Sequence, residues 1–145
     1  MNEFRQLTED VSVSPQITTE QVREAAALGF RTIVNNRPDG EEPGQPSSAE
    51  IEAAAREAGM DYHAIPISGG QFDAGSVAQM SHVLENADEP VLAFCRSGTR
   101  STLLWSLARA SEGLEPAAIA RIAAGAGYDV SPVAAALQAL SARRS

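Results

Sequence analysis

The chain has 145 residues, 43% of them apolar and 21% charged, and a net charge of −8. This predicts one globular domain over residues 1–145 with a real core, and argues against nucleic acid or an anionic membrane as the main partner. Its single cysteine rules out an intramolecular disulfide. That suits a reducing, cytoplasmic location. The start, Met1-Asn2-Glu3-Phe4-Arg5, has neither the basic nor the apolar region of a secretion signal, and no apolar run approaches membrane-spanning length.

In chain order, Asp10-Val11-Ser12-Val13-Ser14 reads as a first short strand, ended by Pro15. Thr18-Thr19-Glu20-Gln21 caps a helix running from Val22 to Leu28, which Gly29 closes. Arg31 to Asn35 is a buried strand that opens into a long polar loop, Asn36 to Ser47. A second helix begins at Ser48 and ends near Ala58, and Asp61 to Ile67 is a further strand. After the Ser68-Gly69-Gly70 turn, Asp73 is placed to cap a helix reaching about Asn86. Pro90 to Phe94 reads as a buried strand, and Thr102 to Arg109 has helical spacing. Two alanine-rich helices follow, about Pro116 to Ala124 and Pro132 to Ala142. Strands alternating with helices predict an α/β fold with a parallel sheet covered on both faces. In such a sheet the Asn36 loop, the Gly69-Gly70 turn and the loop after Phe94 leave the same edge and should meet at one pocket.

The third of these loops carries the chemistry. Cys95-Arg96-Ser97-Gly98-Thr99-Arg100-Ser101 joins a strand to a helix start, whose unpaired N–H groups bind anions and favour thiolate over thiol. Arg100 is close enough in sequence to fold back and grip an anion at two points. The plainer alternative is a small buried cysteine, Ser97 or Thr99 as a helix cap, and arginines on a solvated surface. The conjunction favours a nucleophile in an anion-binding loop made by Arg96, Ser97, Gly98, Thr99 and Arg100.

Phe94 to Ser101 resembles the Cys-and-Arg loops of the dual-specificity phosphatases and of the rhodaneses. Together with Val13-Ser14-Pro15-Gln16-Ile17 and Asn35-Asn36-Arg37-Pro38-Asp39-Gly40-Glu41, it is similar to a bacterial family of small phosphatase-fold proteins. That family also forms the N-terminal part of beta-lactamase-hydrolase-like proteins. The likeness runs from about Val11 to Tyr128. It implies a dual-specificity-phosphatase-like fold, a mostly parallel sheet flanked by helices, with Cys95 as nucleophile. It also implies that Ser101 donates to the cysteine sulfur. Both phosphatase and sulfurtransferase activities fit such a fold.

Four residues separate Cys95 from Arg100, the spacing of rhodaneses, where the phosphatase signature has five. Phe94 stands where phosphatases carry a histidine. A phosphatase also needs an acid for the leaving oxygen. The candidates are Asp73, which reads more simply as a helix cap, and Asp39, which with Arg37 should border the pocket but sits in a Pro-Asp-Gly turn. Sulfite leaves thiosulfate as a stable anion and needs no acid. The preferred expectation is therefore sulfane-sulfur transfer through a Cys95 persulfide. Phosphate-monoester hydrolysis through a phosphocysteine is the alternative, and a non-catalytic module for phosphorylated or sulfonated partners is the third. Each takes a small anionic ligand and needs no cofactor. His63 and His82 are too far apart in sequence to suggest a metal pair.

Overall fold

The computed structural model describes residues 3–144; Met1, Asn2 and Ser145 of the expected 1–145 domain lie outside the described residues. The strands are β1 (Arg5–Thr8), β2 (Val11–Ser14), β3 (Thr32–Asn35), β4 (Asp61–Ala64) and β5 (Val91–Phe94). The helices are α1 (Thr19–Ala27), α2 (Ser48–Glu57), α3 (Ala74–Asn86), α4 (Thr99–Ser111), α5 (Pro116–Gly125) and α6 (Ala134–Arg144). A short 3₁₀ turn, Ser131–Val133, leads into α6.

The sheet order is β1-β2-β5-β3-β4. β2, β5, β3 and β4 pair in parallel, and β1 joins β2 antiparallel. β5 thus lies between β2 and β3, hydrogen-bonded on both sides, and all four of its residues are buried. Side chains alternate across it. Leu92 and Phe94 face a core shared with α1 and α2, while Val91 and Ala93 face the core of α3, α4, α5 and α6. The expected α/β class and the dual-specificity-phosphatase-like arrangement are both present. Strand β1 was not expected. Its four residues are partly exposed, and its pairing shifts register between Gln6 and Thr8, so it shows no clean alternation.

The caps read from sequence form as hydrogen bonds. Thr18 and Gln21 make a reciprocal capping box at α1, and Ser47 and Glu50 make another at α2. Asp73 caps α3, its side chain accepting from the Ser76 N–H at 2.7 Å. Helix α4 departs from the amphipathic rule, because every residue from Ser101 to Ala108 is buried. It is the central helix of its face, with Trp105 wholly inside the core. No described helix is long and apolar enough to cross a membrane.

Candidate active site

Because β5 has neighbours on both sides, three chain segments converge where it ends. The Cys95 N–H donates to the Ser14 carbonyl at 3.3 Å, and the Asn36 N–H to the Phe94 carbonyl at 2.8 Å. Asn36 is fully buried, and each of its polar atoms is hydrogen-bonded. Its Nδ2 donates to the Ile65 carbonyl at 2.9 Å, its own carbonyl accepts from the Ile67 N–H at 2.9 Å, and its Oδ1 accepts from Ser101 Oγ at 2.8 Å. This one side chain binds the Asn36 loop to the β4–α3 loop and to the start of α4. It also corrects the role implied for Ser101, whose hydroxyl proton goes to Asn36 and not to the cysteine sulfur.

Cys95 is buried, and its Sγ accepts from the Gly98 N–H at 3.1 Å. Gly98 is the N-cap of α4 with φ +93°, a conformation that side chains resist. A second constraint comes from behind the loop. Tyr128 Oη donates to the Ser97 carbonyl at 3.1 Å, and a Cβ on Gly98 would collide with the Tyr128 hydroxyl. Burial raises the Tyr128 phenol above its ordinary pKa, so it stays a neutral donor. Within the loop, Ser97 Oγ bonds Thr99 Oγ1 at 3.0 Å and accepts from the Thr99 N–H at 3.3 Å. Arg96 points outward, its side chain 69% exposed and 3.9 Å from Glu42 Oε2.

Arg100 does fold back over the site, and the residue that holds it is Glu41. Nη1 and Nη2 donate to the two Glu41 oxygens, each at 2.8 Å, and Nη1 also donates to the Ile67 carbonyl at 2.7 Å. Three of the five guanidinium N–H donors are then engaged. The two left, Nε–H and the second Nη2–H, lie along one edge, where the guanidinium also pairs with the Cys95 sulfur, so an anion taken up there meets the arginine and the sulfur together. Glu41 and the Cys95 sulfur both favour the charged guanidinium, Glu41 the more strongly, and raise its pKa.

Glu41 is itself held twice. Arg37 Nε donates to Glu41 Oε1 at 2.8 Å, while its Nη2 reaches Glu42 at 3.0 Å and its Nη1 reaches Gln16 at 3.1 Å. The Arg37 side chain is wholly buried, so this is a built support for the loop and not a surface contact. The Arg100 hydrogen bond, with help from Arg37 and against some desolvation, lowers the Glu41 carboxyl from 4.5 to about 2. Above the site opens a cleft of about 440 Å³ lined by Glu41, Gly69, Gly70, Arg96 and Arg100.

The structure thus brings together Cys95, Arg100, Arg37 and the Arg96–Thr99 loop. Asp39 and Asp73 have other work: Asp39 Oδ1 accepts from the Ser48 N–H at 2.7 Å at the start of α2, and Asp73 caps α3. Neither lines the cleft. Sequence reasoning gave Glu41 and Asn36 no role of their own, although both lie in the Asn35–Glu41 stretch that carries the family resemblance, and it put Tyr128 at the pocket rim only behind the plainer reading of a helix-joining turn. All three act on the loop from distant positions. Among the described residues no cluster of three or more histidine, cysteine or acidic side chains could hold a metal.

Residues 3–112 match the family described as Beta-lactamase hydrolase-like protein, phosphatase-like domain. The chain belongs to that family. A Beta-lactamase hydrolase-like protein of Agrobacterium fabrum is 37% identical over 107 residues, which span 74% of this chain and 25% of that relative's own length. One from Xylella fastidiosa is 35% identical over 107 residues, with the same coverage. The chain therefore corresponds to about a quarter of these relatives. A candidate phosphatase of known structure from Neisseria meningitidis is 35% identical, with a TM-score of 0.83, covering 97% of this chain and 99% of that one. The active form of Tk-PTP shares the fold at a TM-score of 0.77 and 20% identity, covering 97% of each chain.

Proposed function

We propose that this domain is a cysteine-dependent phosphatase that hydrolyses phosphate monoesters through a phosphocysteine on Cys95. The observation that carries the reading is the donor accounting at Arg100: Glu41 and Ile67 fix the guanidinium and leave the Nε–Nη2 edge, the one that pairs with the Cys95 sulfur, for an anion. A tetrahedral phosphoryl group matches that edge, with the open start of α4 as a further source of donors. The family match and the fold neighbours support a phosphatase over the sulfane-sulfur transfer that the loop count preferred. Two neighbours of the same fold, P. aeruginosa TpbA and PTPMT1, form complexes with pTyr and PI(5)P, both phosphate monoesters.

The Cys95 thiolate attacks phosphorus, an S–P bond forms and the ester P–O bond breaks. Arg100 and the loop amides hold the equatorial oxygens as charge redistributes. Water then attacks the phosphocysteine, releasing phosphate and regenerating the thiolate. The short loop still gives sulfur transfer a specific claim, so one preparation should meet both donors. Phosphate release from an aryl ester, with added phosphate on Cys95 in intact-protein mass spectrometry, supports the proposal. Sulfur added from thiosulfate with no ester hydrolysis refutes it.

A further inference from the structure

Resting on the phosphatase reading, we infer that this site works without a protein general acid and therefore selects phosphate esters whose leaving oxygen can depart as a stable anion. Aryl esters qualify, and simple alkyl esters do not. Among the described residues, the carboxyls of the loops that border the site, Glu41, Glu42, Asp39 and Asp73, are each engaged as acceptors. Glu41 is the only carboxyl among the cleft-lining residues, and both its oxygens accept guanidinium N–H groups from Arg100 and Arg37. Held at about 2, it is a carboxylate at any working pH and has no proton to give. Glu42 accepts from Arg37 at 3.0 Å and faces Arg96 at 3.9 Å.

The two aspartates on the bordering loops are occupied in the same sense. Asp73 follows the Gly69-Gly70 turn, the position from which an acid could reach the cleft, but its carboxylate accepts from the Ser76 N–H and is held in its charged form. Asp39 accepts from the Ser48 N–H. Tyr128 is protonated but donates to the Ser97 carbonyl behind the loop. His63 and His82 do not line the cleft.

In the first step the thiolate's electron pair makes the S–P bond. The P–O pair stays on the ester oxygen, which departs as an anion and takes its proton from bulk water. A phenol such as tyrosine's, with a pKa of about 10, tolerates this. An alkoxide, near water's value of about 15.7, does not. General acids are typically worth about 10² to 10⁴-fold, and here that factor is lost only for poor leaving groups.

The test is kcat/KM across substituted phenyl phosphates and one alkyl phosphate, for the parent protein and for Asp39→Asn, Asp73→Asn and Glu41→Gln. Asparagine retains the capping oxygen, so both aspartate variants keep their folds. Expected is a steady decline with rising leaving-group pKa, with alkyl phosphate turned over at least about 10²-fold more slowly than phenyl phosphate. The lines for Asp39→Asn and Asp73→Asn should run parallel to the parent's. A flat dependence overturns the inference, and any variant that turns a flat line steep identifies the acid. No hydrolysis of even the most activated ester by folded protein refutes the phosphatase reading itself, and this inference with it.

Discussion

Arg100 commits three of its five donors to the protein before any ligand arrives, and Glu41 takes two of them. Cys95→Ser should abolish turnover while anion binding persists, because the Arg100 edge and loop amides remain. Arg100→Lys should weaken both, since an ammonium is a point charge that cannot bridge Glu41, Ile67 and an anion in one plane. Turnover and phosphate binding measured on both variants check this. Glu41 also ties stability to pH. Its folded value lies below the usual 4.5, so the ion pairs contribute fully above about pH 4.5 and are lost as the pH falls toward 2. With 27% of its side chain exposed, solvent screening reduces the effect to about 1 kcal/mol. Urea unfolding at pH 6 and pH 3 should show the parent losing about 1 kcal/mol more than Glu41→Gln. Equal losses would remove Glu41 as the cause.

At the scale of the element, the start of α4 is fixed from two sides. Gly98 supplies the left-handed turn, and Tyr128, brought back by α5, closes the space where a side chain would go. Gly98→Ala therefore meets a backbone cost and a clash at once. A single strained non-glycine position costs about 1–3 kcal/mol, and the clash adds to it. Tyr128→Ala relieves the clash and leaves only the backbone cost, so the double variant should be more stable than the sum of the two single losses. Denaturant midpoints around this cycle give the coupling, expected at about 1–2 kcal/mol. Strict additivity would mean that Tyr128 does not buttress the loop.

At the scale of the whole molecule, the family match stops at Glu112, but the core does not. Ile119, Val130, Val133 and Leu137 come from beyond that point and lie in the same buried cluster as Leu104, Trp105 and Ala108 of α4. Four such side chains at about 1.5–3 kcal/mol each amount to about 6–12 kcal/mol, comparable with the entire stability of a domain. A chain ending at Gly113 should lack a cooperative thermal transition by circular dichroism. A sharp transition near that of the full chain would show that α5 and α6 are dispensable.

Local features of this fold could be read from the residues alone. Capping boxes, the Asp73 cap, the apolar run of β5 and the Cys95–Ser101 turn depend on neighbours a few positions apart, so sequence spacing contains them. The convergence of three loops at one edge followed from parallel topology. Placing β5 between β2 and β3 needed the packing of both faces, and β1 had too little buried surface to show a pattern. The partners inside the site were decided only in three dimensions. Glu41 reaches Arg100 across 59 positions, Asn36 reaches Ser101 across 65, and Tyr128 reaches Ser97 across 31. Sequence therefore determined which groups can do chemistry here, because reactivity belongs to the residue type. Tertiary structure decided which donors and protons remain available, because that depends on who else has already bonded to them.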